Sequence, residues 1–164
     1  MTFAARLVPG TTDEALARAA TRTPTRIRTA IKLIVTVGQT EIQERTHTGW
    51  SGALKRGYGT DIHSTGTRTV GTINNPALYH DTAEEGRRPG KQPPVAALIL
   101  WVGSVLGIPP GPEREQVAFL VAREIGARGY PGHHMVEQGM TATRRQMGPI
   151  LSKMGLALAK DIHP

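Results

Sequence analysis

Apolar positions recur at helical spacing over several stretches of this chain. Ile27, Ile31, Ile34, Val35, Gly38 and Ile42 form one stripe behind Thr23-Pro24, which reads as an N-cap followed by a proline at the first helical position. The pattern predicts an amphipathic helix of about 20 residues, or ~30 Å, whose stripe needs a sheet or a partner chain to cover it. Upstream, Thr11 and Glu14 have capping-box spacing, which predicts a separate short helix from Thr12 to Thr21 in an N-terminal arm covering residues 1–22. Downstream, Val117, Leu120, Val121 and Ile125 predict a helix from Glu113 to Arg128, with Gly129 as its C-cap. Met135, Met140, Met147, Leu151, Met154 and Leu158 predict a C-terminal helix that Pro149 should kink or split.

Other segments follow different patterns. Val95 to Leu106 is apolar nearly all round, which predicts a buried helix stopped by Gly107. It is about half as long as a membrane span requires. The glycines of His47-Thr48-Gly49-Trp50-Ser51-Gly52 end the long helix, and two strands are predicted from Leu54 to Ile62 and from Thr67 to Ile73. Ser64-Thr65-Gly66 supplies turn chemistry between them. Asn75-Pro76 opens a short helix running to Glu85, closed by Gly86. Arg87 to Pro94 must be a loop, Ile108 to Pro112 a stiff extended connection, and Tyr130-Pro131-Gly132 a turn. The expected fold is α+β in a single domain over residues 1–164. A long amphipathic helix packs on a small antiparallel sheet, with inserted helices and a C-terminal helix. Ile27, Ile31, Ile34 and Trp101 are its expected core.

Composition narrows the chemistry. The 164 residues include no cysteine, which excludes disulfide scaffolds, zinc–thiolate sites and cysteine nucleophiles. The N-terminal residues show no secretory signal. The net charge of +7 favours acidic surfaces or nucleic acid, although the basic residues are spread along the chain.

No catalytic constellation emerges. His133 and Glu137 share a helix face and His134 adjoins them, but a zinc helix of the two-histidine kind would need a histidine where Glu137 stands. No metal and no cofactor are expected. The serines sit in no strained elbow, Glu84-Glu85 is an isolated acidic pair, and no glycine-rich segment ends in the phosphate-loop pattern. The densest basic cluster is Arg87, Arg88 and Lys91 on a Pro/Gly loop, suited to phosphates or to an acidic neighbouring subunit. Arg144-Arg145 is a second basic pair. Met135 and Met147 are candidate contacts for a partner, because methionine packs adaptably.

Three segments together resemble the neck or tail-completion proteins of long-tailed phages, the head–tail connector and minor tail components. The first is Thr48-Gly49 leading to Leu54 after a long amphipathic helix. The second is Ile73-Asn74-Asn75, Tyr79, Glu85-Gly86-Arg87-Arg88-Pro89 and Pro93-Pro94, followed by a helix ending near Trp101. The third runs from Ala118-Phe119 through Ile125 and Arg128-Gly129 to Pro131-Gly132-His133-His134-Met135. The resemblance covers Ile27 to Leu158. It departs from the family at Met135 and Val136, where phenylalanines are usual, and at His80-Asp81 after Tyr79.

The resemblance implies a non-enzymatic virion protein, located at the neck or the top of the tail and in the host cytoplasm during assembly. It implies a sixfold or twelvefold ring of identical copies, contacting head-completion or adaptor and tail proteins. Genomic DNA passes through its lumen without sequence-specific contact, and no membrane is involved. A tail terminator capping the tail tube is the alternative within that class. A nucleic-acid-binding accessory protein is the alternative outside it, and would need Arg87, Arg88 and Lys91 to cluster with Arg144 and Arg145.

Overall fold

The computed structural model describes residues 11–162 except positions 50 and 67, with side chains described from position 14. The first ten residues of the expected N-terminal arm, Trp50 and Thr67 lie outside the described residues. The chain is α+β, and its elements fall into two compact units. Among the described residues, one unit comprises residues 11–41, 59–74 and 140–162, the other residues 42–58 and 75–139.

The first unit is built on a long helix, α1 (Thr11–Arg45). The expected break before Pro24 does not occur, and α1 absorbs the predicted short helix, with Pro24 in its interior. A proline there cannot donate to the carbonyl four residues back. Neighbouring threonines bond to carbonyls of the same turns: Thr21 Oγ1 donates to the Ala17 carbonyl at 2.9 Å and Thr23 Oγ1 to the Ala19 carbonyl at 2.6 Å. Thr23 is therefore an interior residue bonded backwards along the helix, and not a cap.

The covering sheet is the hairpin of β1 (Gly59–Thr65) and β2 (Arg68–Asn74), in regular antiparallel register from Gly59 opposite Asn74 to Thr65 opposite Arg68. The hairpin begins later than predicted, because Leu54 to Arg56 form a helical turn instead of a strand. Gly71 of β2 sits against the side chains of Val35 and Ile31, so α1 packs directly on the sheet. Ala30, Val35 and Gly38 are buried, whereas Ile27, Ile31 and Ile34 are half-buried. The interior stripe is thus turned slightly from the one expected.

The C-terminal helix α6 (Met135–Ile162) is continuous through Pro149, not split there. It runs antiparallel beside α1 in this unit. Thr143 lies against Gly38, Gln146 donates to the Glu41 carboxylate, and Asp161 binds Arg22 and Arg26. Asp161 is buried, accepting from Arg26 Nε at 2.5 Å, Arg26 Nη2 at 2.9 Å and Arg22 Nη1 at 2.9 Å. The Arg26 hydrogen bond, and then that of Arg22, outweigh burial and hold its carboxyl down at about 2.

The second unit contains α2 (Ala53–Arg56), α3 (His80–Glu85), β3 (Gly86–Arg87), α4 (Val95–Leu106), α5 (Pro112–Arg128) and β4 (Tyr130–Pro131), together with the first turn of α6. Its interior holds Ile42, Leu54, Tyr58, Val102, Ala118, Ala122 and Met135. Helices α4 and α5 pack on each other, and Gly107 ends α4 in the left-handed conformation. Contrary to the expectation of a buried helix, only Val102 of α4 is fully buried. Trp101 is half-buried, and Leu100, Val105 and Leu106 are exposed. A lone hairpin partner can cover one face of a helix, so an all-round apolar helix keeps apolar surface uncovered.

Candidate functional site

From Asn75 onward, the segments that carry the resemblance meet in the second unit, joined by three sets of hydrogen bonds. Asn75 makes the first. Its side-chain Nδ2 donates to the Leu54 carbonyl at 2.8 Å, while its Oδ1 accepts the Ala77 N–H at 3.0 Å. Asn75 therefore pins the α2 turn and shapes the entry to α3. Helix α3 itself begins at His80, later than the Asn75-Pro76 start expected from the sequence.

Glu84 makes the second. Its carboxylate accepts the N–H groups of Val136 at 2.9 Å and Glu137 at 3.1 Å, in the first turn of α6. Those donors have no partner within their own helix, and a carboxylate also suits the positive end of the helix dipole. The cap thus comes from a residue more than fifty positions away. Backbone bonds reinforce it, from His133 N to the Ala83 carbonyl at 2.9 Å and from His134 N to the Glu84 carbonyl at 3.1 Å.

The third is a clasp of two short strands. Gly86 pairs with Pro131 and Arg87 with Tyr130, antiparallel. The segments expected to be loop and turn therefore bind each other. The approach is too close for side chains. A Cβ on Gly86 would strike the backbone from Tyr130 to Gly132, and one on Gly132 would strike that from Glu84 to Gly86. A Cβ on Gly129 would strike the Arg87 carbonyl. Gly86 (φ 79) and Gly129 (φ 66) also end α3 and α5 in backbone conformations that favour glycine.

The clasp positions the basic loop. Arg87 is half-buried, and its guanidinium turns in on its own loop, Nη2 donating to the Lys91 carbonyl at 2.5 Å. It also bears on Tyr130, whose phenol burial pushes up and Arg87 pulls down. Gly90 N donates to the Gly126 carbonyl at 2.8 Å, tying the loop to α5. Arg88 and Lys91 are exposed, and among the described residues neither has an ion-pair partner. Of the three cations, then, one builds the loop and two are presented by it. Met135 is 1% exposed and belongs to the interior, so its side chain offers no contact surface; Met147 is half-buried on α6. Arg144 and Arg145 are exposed on α6 in the first unit.

Among the described residues, His47, His80, His133 and His134 each meet a ring or a carboxylate. His133 packs against His47 with ring centroids 4.6 Å apart. His134 lies 3.6 Å from Glu137, and His80 is 3.1 Å from Asp81 while meeting the buried Tyr58 ring edge-on. Burial is the main cause of a raised Tyr58 phenol. Among the described residues no group of three or more histidine, aspartate or glutamate side chains is placed to hold a metal. No described helix is long and apolar enough to cross a membrane.

Sequence reasoning missed the roles of Asn75, Glu84 and Asp161. Each acts on a partner distant in the chain, and no local pattern marks such a pairing. Compared with known proteins, the chain matches no protein-family model, no curated protein and no solved structure.

Proposed function

We propose that this chain is a structural component of the head–tail junction of a tailed phage, forming a ring that joins or finishes head and tail around the DNA channel. One observation supports the reading. The motifs that resemble the neck and tail-completion family, scattered from Thr48 to Met135, hold one another through Asn75, Glu84 and the β3–β4 clasp. Their polar side chains are engaged in shaping a loop, which fits a mechanical role better than a catalytic one.

The loop suits docking. Prolines at 89, 93 and 94 restrict its backbone, so binding costs less ordering entropy than a flexible loop would. Arg88 and Lys91 complement an acidic surface on a neighbouring ring. Tight contact with DNA would slow its passage, so the neighbour is the better partner.

The test is Arg88→Glu combined with Lys91→Glu in cells producing particles that carry this chain. The doubly reversed protein should melt like the wild type, yet free heads and free tails should accumulate. Normal particle yield would overturn the role of the loop. Cryo-microscopy of wild-type particles should place the chain in a ring at the neck. A ring on the tail tube alone would mean a tail terminator, and absence from particles would overturn the reading altogether.

A further inference from the structure

The positive charge of the chain is divided unevenly between its units. Among the described residues the first unit carries ten Lys and Arg against five Asp and Glu, and the second nine against eight. The excess sits on two helices. From Ala15 to Thr40, α1 has five cations and no acid, and from Gln138 to Lys160, α6 has four cations and no acid.

Part of this charge is ordered in rows. Arg18, Arg22 and Arg26 stand four apart, so they run along one side of α1 with a step of about 6 Å. Lys153 and Lys160 stand seven apart and share a side of α6. Arg22, Arg26 and Lys153 line one groove between the two helices, about 640 Å³ in volume, so the rows flank it. The acids beside them are already engaged. Asp161 is buried and binds Arg22 and Arg26, and Glu14 lies 3.8 Å from Arg18. Lys153 and Lys160 are exposed, and among the described residues neither has an ion-pair partner.

We propose that this face of α1 and α6 is where the chain meets double-stranded DNA, through phosphates alone. The inference rests on the junction reading and names the surface turned to the DNA channel. A protein interface fixes its register by matching charges of both signs. Rows of one sign fix none, and offer a linear polyanion many equivalent registers. Arg22 and Arg26, whose forked guanidiniums suit the reading of a base, are committed to Asp161. The free cations here are lysines, which neutralise a phosphate as point charges. Contact is therefore blind to sequence and weakened by salt, and it lets DNA slide past.

The test is fluorescence anisotropy of labelled duplexes of two unrelated sequences, titrated with the full-length protein. Both should bind alike. Affinity should fall about a hundredfold between about 50 and 200 mM salt, as contact with about four phosphates requires. Lys153→Glu with Lys160→Glu should weaken binding about tenfold or more at the lower salt. Arg88→Glu with Lys91→Glu removes the same charge from the loop of the second unit, and should weaken it less than about threefold. If the reversed chain does not melt like the wild type, the two pairs changed to Gln carry the same comparison. Equal losses would mean that net charge alone acts and would overturn the proposal. A sequence preference, or no binding at about 50 mM salt, would also overturn it. So would loss of a particle protein from the Lys153→Glu, Lys160→Glu chain with DNA affinity kept, which would reveal an acidic protein partner. A chain that forms a neck ring without binding DNA would overturn this surface alone. One that binds DNA through it but is absent from particles would overturn the junction reading alone.

Discussion

The two units differ in what surrounds their tightest glycines. In the first, an added Cβ would meet the ends of side chains: at Gly38 the Ile73 Cδ1 at 2.7 Å, at Gly71 the methyl groups of Val35 and Ile31. In the second, at Gly86, Gly129 and Gly132, it would meet the backbone of a facing segment. Side-chain ends can change rotamer, whereas a paired backbone can only separate. The helix-on-hairpin packing of the first unit is therefore adjustable, and the clasp of the second is not.

That contrast breaks first at the clasp. Gly129→Ala combines left-handed backbone strain with a backbone collision and should destabilise by about 2–6 kcal/mol. A wild-type midpoint in urea unfolding would show that the two strands do not meet as described. Ile42, only 1% exposed in the second unit, sets the scale of ordinary core loss. Ile42→Ala should cost about 2–5 kcal/mol in the same measurement.

The first unit should respond to acid through Asp161. Its carboxyl is held at about 2 by Arg26 and then Arg22, below the ordinary 3.8. The folded chain thus binds this proton less readily than the unfolded one. The contribution is complete above the ordinary value and disappears as pH falls from about 4 to about 2. Asp161→Asn should be less stable at neutral pH and lose that part of the acid dependence; melting curves across this range that match the wild type would contradict the ion-pair geometry. The smallest effect belongs to Gly38→Ala. A helix-propensity gain of about 0.5–1 kcal/mol opposes a rotamer cost for Ile73 of about 0.5–1.5 kcal/mol, so the net change should stay within about 1 kcal/mol. A loss comparable to Gly129→Ala would erase the distinction between the units.

Periodicity made much of this fold legible in advance. Helix α4 runs from Val95 to Leu106 with Gly107 closing it, as its apolar run and glycine stop predict, and α5 differs from expectation by one residue at its start. Pro24 misled because Thr-Pro is the usual opening of a helix, whereas the unbroken run of α1 from Thr11 to Arg45 makes it interior. The clasp was illegible because strands of two residues carry no period. Arg87, Arg88 and Lys91 were recognisable as a cluster, but not the inward turn of Arg87, which depends on a carbonyl presented by the folded loop. Met135 has the same composition signal as Met147, and burial alone separates them.

The anchoring of α1 by Asp161 also bears on when the fold can form. Arg22 and Arg26 are made early, while their carboxylate follows 139 and 135 residues later. During synthesis that end of α1 therefore waits until position 161 has emerged, and its cationic side remains available to other anions in the meantime. Contacts of such long range slow folding. The last turn of α6 thus acts as a latch that closes late, and a ribosome stalled before position 161 would carry a nascent α1 without it.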